Sequence, residues 1–196
     1  MLAVLVVRNL PGVLFADDWD LVGGTLIAAG AGELDLGHLL SQHNESRPLV
    51  PRLLFLAIGT VAPGGLRWLP LLSLVLAGLV SWCLFRLAEA TLAARPARLV
   101  GLFVLANALV FTPKAAEAWL WSSYLGLLPI ACLAGSLALL DEGRPRPGTV
   151  LAAAGLCSVA TFSYANGLST WLLAGAVVAS VASRRWLGFW LGGLVL

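Results

Sequence analysis

The chain has 196 residues, of which 60% are hydrophobic and 11% charged, with a mean hydropathy of +0.93. Soluble domains carry about 25% charged residues, so this composition excludes an ordinary water-facing surface. A net charge of +2 without any basic stripe argues against nucleic acid as a partner.

Taken in order, the apolar pattern predicts an all-α protein, a polytopic transmembrane helix bundle forming a single domain over residues 1–196. The first helix covers residues 1–15. It has no basic leader, and Arg8, Asn9 and Pro11 interrupt it, so it reads as the outer part of a spanning helix rather than as a secretory signal. A loop over residues 16–65 follows, far longer than the usual connection. Within it, Leu34, Leu36, Leu39 and Leu40 alternate at helical spacing with Glu33, Asp35, His38 and Gln42, which predicts a short helix lying on a membrane surface. Leu49–Val61 is apolar but too short for a crossing, and is expected to be interfacial or re-entrant.

Further spans are predicted over residues 66–93, 97–112, 120–140, 149–163 and 168–183, with another beginning near 186. At roughly 20 apolar residues per crossing, the chain supplies roughly six crossings, the shorter ones accommodated by tilt or local thinning. Both ends break off inside apolar runs, so a piece of a longer protein is expected. Arginine gathers at Arg86–Arg98, at Arg144 and Arg146, and at Arg184 and Arg185, which the positive-inside rule puts in the cytoplasm. The 16–65 loop, residues 113–123 and residues 163–167 then face outward. The expected location is a bacterial cytoplasmic membrane. Arg86 and Glu89 stand three residues apart on one helix, where a local ion pair is expected. Trp68, Trp119, Trp121, Trp171 and Trp186 lie near helix ends, where indoles favour the headgroup layer. Trp119 and Trp121 are also candidates for stacking on a sugar or a lipid head. Cys83, Cys132 and Cys157 sit in apolar runs at no metal-like spacing and read as small buried hydrophobes.

The chemistry-bearing side chains concentrate in the first loop. Asp17 and Asp18 directly follow the first helix, and His43, Glu45, Arg47 and Arg52 precede the next long apolar helix. Carboxylate oxygens of this kind suit a divalent cation, for which Asp17 and Asp18 are the candidate ligands. The same carboxylates suit proton abstraction from an acceptor hydroxyl. His43, Glu45, Arg47 and Arg52 are the candidate substrate-binding set, with the two guanidiniums fitted to phosphate oxygens. Asp20, Glu33, Asp35 and His38 are expected to be solvated.

Three features carry a resemblance: the acidic pair Asp17-Asp18 opening a long outer loop, the string from Gln42 to Leu54, and the later segments Glu117–Trp121 and Phe162–Gly167. Together they resemble the N-terminal portion of polytopic glycosyltransferases of the GT-C superfold, the group that includes protein mannosyltransferases and bacterial lipid-linked sugar transferases. That resemblance implies a polyprenyl-phosphate sugar as donor lipid and Asp17 or Asp18 as catalytic base, with the other assisting. Such enzymes typically carry more crossings, and often a C-terminal periplasmic domain, than these 196 residues are expected to supply. Two rival classes are a flippase or transporter for a lipid or amphiphile, and a non-catalytic membrane assembly subunit. Transport coupled to ions predicts ionisable side chains within spans, and only Arg86 and Glu89 approach that description.

Overall fold

Proline, glycine and asparagine punctuate this chain, and its helices follow the punctuation. The computed structural model describes residues 2–195 except 11–13, 15–16, 63, 93–94, 115–118, 122–124, 142–145 and 182–183, and does not describe the side chains of 181, 184–185 and 194–195. Among the described residues there are ten α-helices and no strand. They are α1 (Leu2–Arg8), α2 (Gly24–Ala31), α3 (Leu36–Leu40), α4 (Leu49–Val61), α5 (Leu69–Leu92), α6 (Pro96–Val110), α7 (Leu127–Leu140), α8 (Pro147–Thr161), α9 (Leu168–Val181) and α10 (Arg184–Val195).

Pro96 and Pro147 open α6 and α8 at the first helical position, where a missing N–H costs nothing. The predicted first helix is shorter than expected. It ends at Arg8, where Asn9 Nδ2 donates to the Leu5 carbonyl at 2.7 Å and Pro11 follows. The 120–140 helix also begins late, at Leu127. The fifty-residue loop is mostly helical. A π-helical turn (Trp19–Gly23) runs into α2, which stops at Gly32 in the left-handed conformation, φ 73°. Sequence patterning missed this pair, although the apolar run from Leu21 to Ala29 carries it. The predicted surface helix contracts to the five residues of α3, capped by Asp35, whose Oδ1 accepts from His38 N at 2.6 Å.

Helix length revises the predicted crossings. Gly65–Leu92, a 3₁₀ turn continuous with α5, is the one described helix long and apolar enough to cross a bilayer. The other apolar helices are shorter; at 1.5 Å per residue, the 15 residues of α6 or of α8 reach about 22 Å, against about 30 Å of hydrocarbon.

Helix α7 packs against both α5 and α8, and α9 joins α8 to α10. One core cluster contains Leu140, Val150, Cys157, Trp171, Val178 and Trp190, linking the last four helices. A second gathers Leu21, Val22, Phe55, Leu69 and Leu125, and so fastens the converted loop to the bundle. Two of the tryptophans expected at helix ends are interior residues: Trp119 is 2% exposed and Trp171 6%. Each indole N–H is satisfied inside, Trp119 by the Thr112 carbonyl at 2.8 Å and Trp171 by Thr161 Oγ1 at 3.1 Å. That pairing is what makes their burial tolerable. All three cysteines are buried and free. The expected local pair forms between Arg86 and Glu89, at 3.8 Å.

The α8–α9 corner is the tightest approach. A Cβ placed on Gly167 would lie 1.9 Å from the Ala160 carbonyl oxygen, so no side chain fits. Gly167→Ala is expected to destabilise the protein by about 3 kcal/mol, the upper end of overpacking costs. Thermal unfolding of the two proteins side by side measures it, and an unchanged midpoint would mean that the corner opens freely.

Candidate functional site

The segment after α3 turns sharply. His43 N donates to the Ser46 carbonyl at 2.9 Å and Ser46 N to the His43 carbonyl at 3.0 Å, which closes a two-residue loop over Asn44 and Glu45. Asn44 sits at φ 50°, the left-handed region that asparagine tolerates better than most residues. Gln42 Nε2 adds a bond to the Asn44 carbonyl at 2.8 Å.

This turn docks on the α8–α9 corner. The Val50 amide donates to the Phe162 carbonyl at 2.9 Å, and the Ala165 amide donates to Ser46 Oγ at 3.0 Å. From the far side, Tyr164 presents its hydroxyl to the Leu125 amide, 3.1 Å away. Three segments distant in sequence therefore meet at one end of the α7–α8 hairpin.

Between them lies a cavity of about 770 Å³. Its polar lining comes from Asp17, His43, Asn44, Glu45, Tyr164 and Asn166, with Trp121 and Pro48 as apolar walls. Beside it a second cavity of about 1090 Å³ runs between α8, α9 and α10, lined mainly by apolar groups such as Leu151, Leu168 and Phe189. Glu45, Ser46 and Ala165 line both cavities, and Arg47 stands on the apolar side.

The sequence-predicted residues divide accordingly. Asp17, His43 and Glu45 share the polar cavity, and Arg47 lies next door. Asp18 parts from its neighbour: it is 1% exposed, at the start of the π-helical turn, whereas Asp17 is half-buried at the cavity wall. Asp20, Glu33 and Asp35 are exposed, His38 is half-buried, and none of the four lines either cavity. Among the described residues, no group of three or more His, Cys, Asp or Glu side chains is disposed to hold a metal ion.

Arg52 has a different role from the one its sequence position suggests. It is 5% exposed and lines neither cavity. Its Nη1 donates to the Leu39 carbonyl at 2.9 Å and to the Ser41 carbonyl at 2.7 Å, strapping the end of α3 to α4. The Nε is buried without a hydrogen-bond partner. Burial pulls the guanidinium pKa below its ordinary value, yet arginine keeps its proton at neutral pH, so the strap stays charge-assisted.

Sequence reasoning did not assign Ser46, Tyr164 or Asn166 to the site. The available signal was the Asn166-Gly167 pair, which marks a turn and so brings polar side chains to a helix end. Replacing Arg52 by Met should free the Leu39–Arg47 backbone while leaving the bundle intact, because two carbonyls lose a charged donor worth about 1.5–3 kcal/mol. Amide hydrogen exchange over residues 39–47 should rise selectively, and unchanged protection there would refute the strap. Compared with known families and proteins, the chain matches no family model, no curated protein and no solved structure.

Proposed function

We propose that the chain is the catalytic membrane portion of a multi-pass glycosyltransferase at the outer face of a bacterial cytoplasmic membrane. On this reading it moves a sugar from a polyprenyl-phosphate donor to an acceptor hydroxyl. The observation that carries the reading is the pairing of a polar cavity holding Asp17, His43 and Glu45 with an apolar cavity across the Glu45–Ser46 wall. Such a pair suits a ligand with a polar head and a long apolar tail.

The membrane setting draws support from the surface. Val100, Leu102, Val104, Leu105 and Leu109 on α6 are all exposed, as are Leu172 and Leu173 on α9. Apolar stripes of that extent are unfavourable in water and favourable against lipid. Helices shorter than the hydrocarbon thickness are matched by local thinning of the bilayer. The polar cavity lies at the N-terminal end of α7, and Arg86, Arg95, Arg98 and Arg146 lie towards the other end of the bundle, beyond the middle of α5, in the first turn of α6 or on the α5–α6 and α7–α8 connections. The positive-inside rule then turns the cavity outward.

In the proposed reaction, Asp17 accepts the proton of the acceptor hydroxyl as its oxygen bonds to the anomeric carbon. The bond from that carbon to the phosphate oxygen breaks, and the lipid phosphate leaves with the electron pair. Arg47, on the tail side of the wall, is positioned for the negative charge that develops on the phosphate. His43 and Glu45 are the groups for sugar hydroxyls, and Trp121 offers an indole face to the ring.

Asp17→Asn is expected to lower the transfer rate by about 10²–10⁴-fold, the usual contribution of a general base. Arg47→Gln should chiefly weaken use of the lipid phosphate donor. The measurement is transfer of labelled sugar from polyprenyl-phosphate donor in membranes carrying the full-length protein. Wild-type rates in Asp17→Asn would end the proposal.

A further inference from the structure

A third cavity, of about 760 Å³, runs along α7 from Leu128 to Asp141, in a groove between α5 and α7 with part of α8 as its floor, and its charged mouth lies at the end away from the polar cavity. Both helices run in the same direction along it, and its polarity is graded. At the closed end Leu76 and Leu128 belong to a packed apolar cluster with Val80 and Ala131. At the open end stand the charged groups that line it, Arg86, Glu89 and Asp141.

The middle is kept open by small side chains. Gly135 lines the groove, and a Cβ there would meet Leu156 Cδ1 at 3.2 Å, so the helix packing favours glycine while the lack of a side chain leaves space. Ala138 extends that space towards the mouth.

The mouth has a definite charge preference. Among the described residues that line it, two carboxylates and one guanidinium leave it net negative. It also sits where α5 and α7 both end, and helix C-termini carry negative dipole charge that favours a cation. Asp141 itself occupies the C-cap of α7. Arg86 is drawn towards Glu89 at 3.8 Å, with both side chains more than half exposed and so free to rearrange around a ligand.

We propose that this groove binds a bilayer phospholipid with an ethanolamine-type head. The ammonium lies against Glu89 and Asp141, the phosphate beside Arg86, and one acyl chain runs between α5 and α7 towards Leu76 and Leu128. The inference rests on the membrane setting proposed above but not on glycosyl transfer, since none of these residues borders the polar cavity.

The test uses the full chain in detergent, supplied with equal amounts of phosphatidylethanolamine and phosphatidylglycerol bearing identical acyl chains, with bound lipid read by native mass spectrometry. Retention of the ethanolamine lipid should exceed that of the glycerol lipid by about threefold, the scale of a pair of exposed charge contacts. In Glu89→Gln/Asp141→Asn the ratio should fall to about one, and Ala138→Phe should reduce retention of both lipids by filling the groove. Circular dichroism establishes that each variant keeps its helix content. Equal retention by the wild type, or a preference that survives in the double variant, overturns the proposal. Should the chain prove monodisperse without detergent, the membrane setting fails separately, and short-chain forms of the two lipids in solution then decide the groove by the same ratio.

Discussion

Two long-range hydrogen bonds, Val50 N to the Phe162 carbonyl and Ala165 N to Ser46 Oγ, make a site out of what would otherwise be separate pieces. They join the His43–Val50 segment to the α8–α9 corner. Without that docking, His43 and Glu45 would lie on a surface turn and Asn166 on an unrelated helix connection. The corner meets the constraint from its own side, because Gly167 cannot carry a side chain and Tyr164 is tied to Leu125. The polar cavity is therefore a property of tertiary docking, built by backbone groups more than by the side chains that line it.

The second cavity depends on another close approach. Trp190 donates its indole N–H to the Trp171 carbonyl at 2.8 Å, and the two rings meet edge to face at 5.0 Å. Gly193 permits this, since a Cβ there would lie 2.6 Å from the Trp171 ring. Glycine and tryptophan are thus paired across α9 and α10, small against large, and the apolar chamber forms on the side they leave open. That complementarity follows from close packing in any helix bundle, in lipid or in water.

Much of this was legible in the sequence where local chemistry decides the outcome. The bounds of α4 were read correctly, because its apolar run is closed by the turn signal around Pro63 and Gly64. The start of α6 was read to within one residue from the favourable position of Pro96. The helical character of Trp19–Ala31 was missed, since acidic and glycine residues at its start masked the apolar run behind them. Asp17 and Asp18 read as an equivalent pair, yet adjacent residues on a helical turn point about 100° apart, and only Asp17 lines the cavity. Arg52 read as a phosphate ligand because nothing in a linear string marks the two carbonyls, Leu39 and Ser41, that occupy it. Tryptophans near helix ends read as interfacial, and interior hydrogen-bond acceptors for Trp119 and Trp171 were invisible without the fold.

The wall between the two chambers is shared by Glu45, Ser46 and Ala165, and the Ala165 amide holds Ser46 Oγ across it at 3.0 Å. Segments fastened in this way open at lower free energy than the cores around them. Swinging its Glu45–Ser46 side away from Ala165 would join the two compartments while α7, α8 and α9 stayed where they are. A molecule straddling both would then be admitted sideways through the partition rather than threaded end-on.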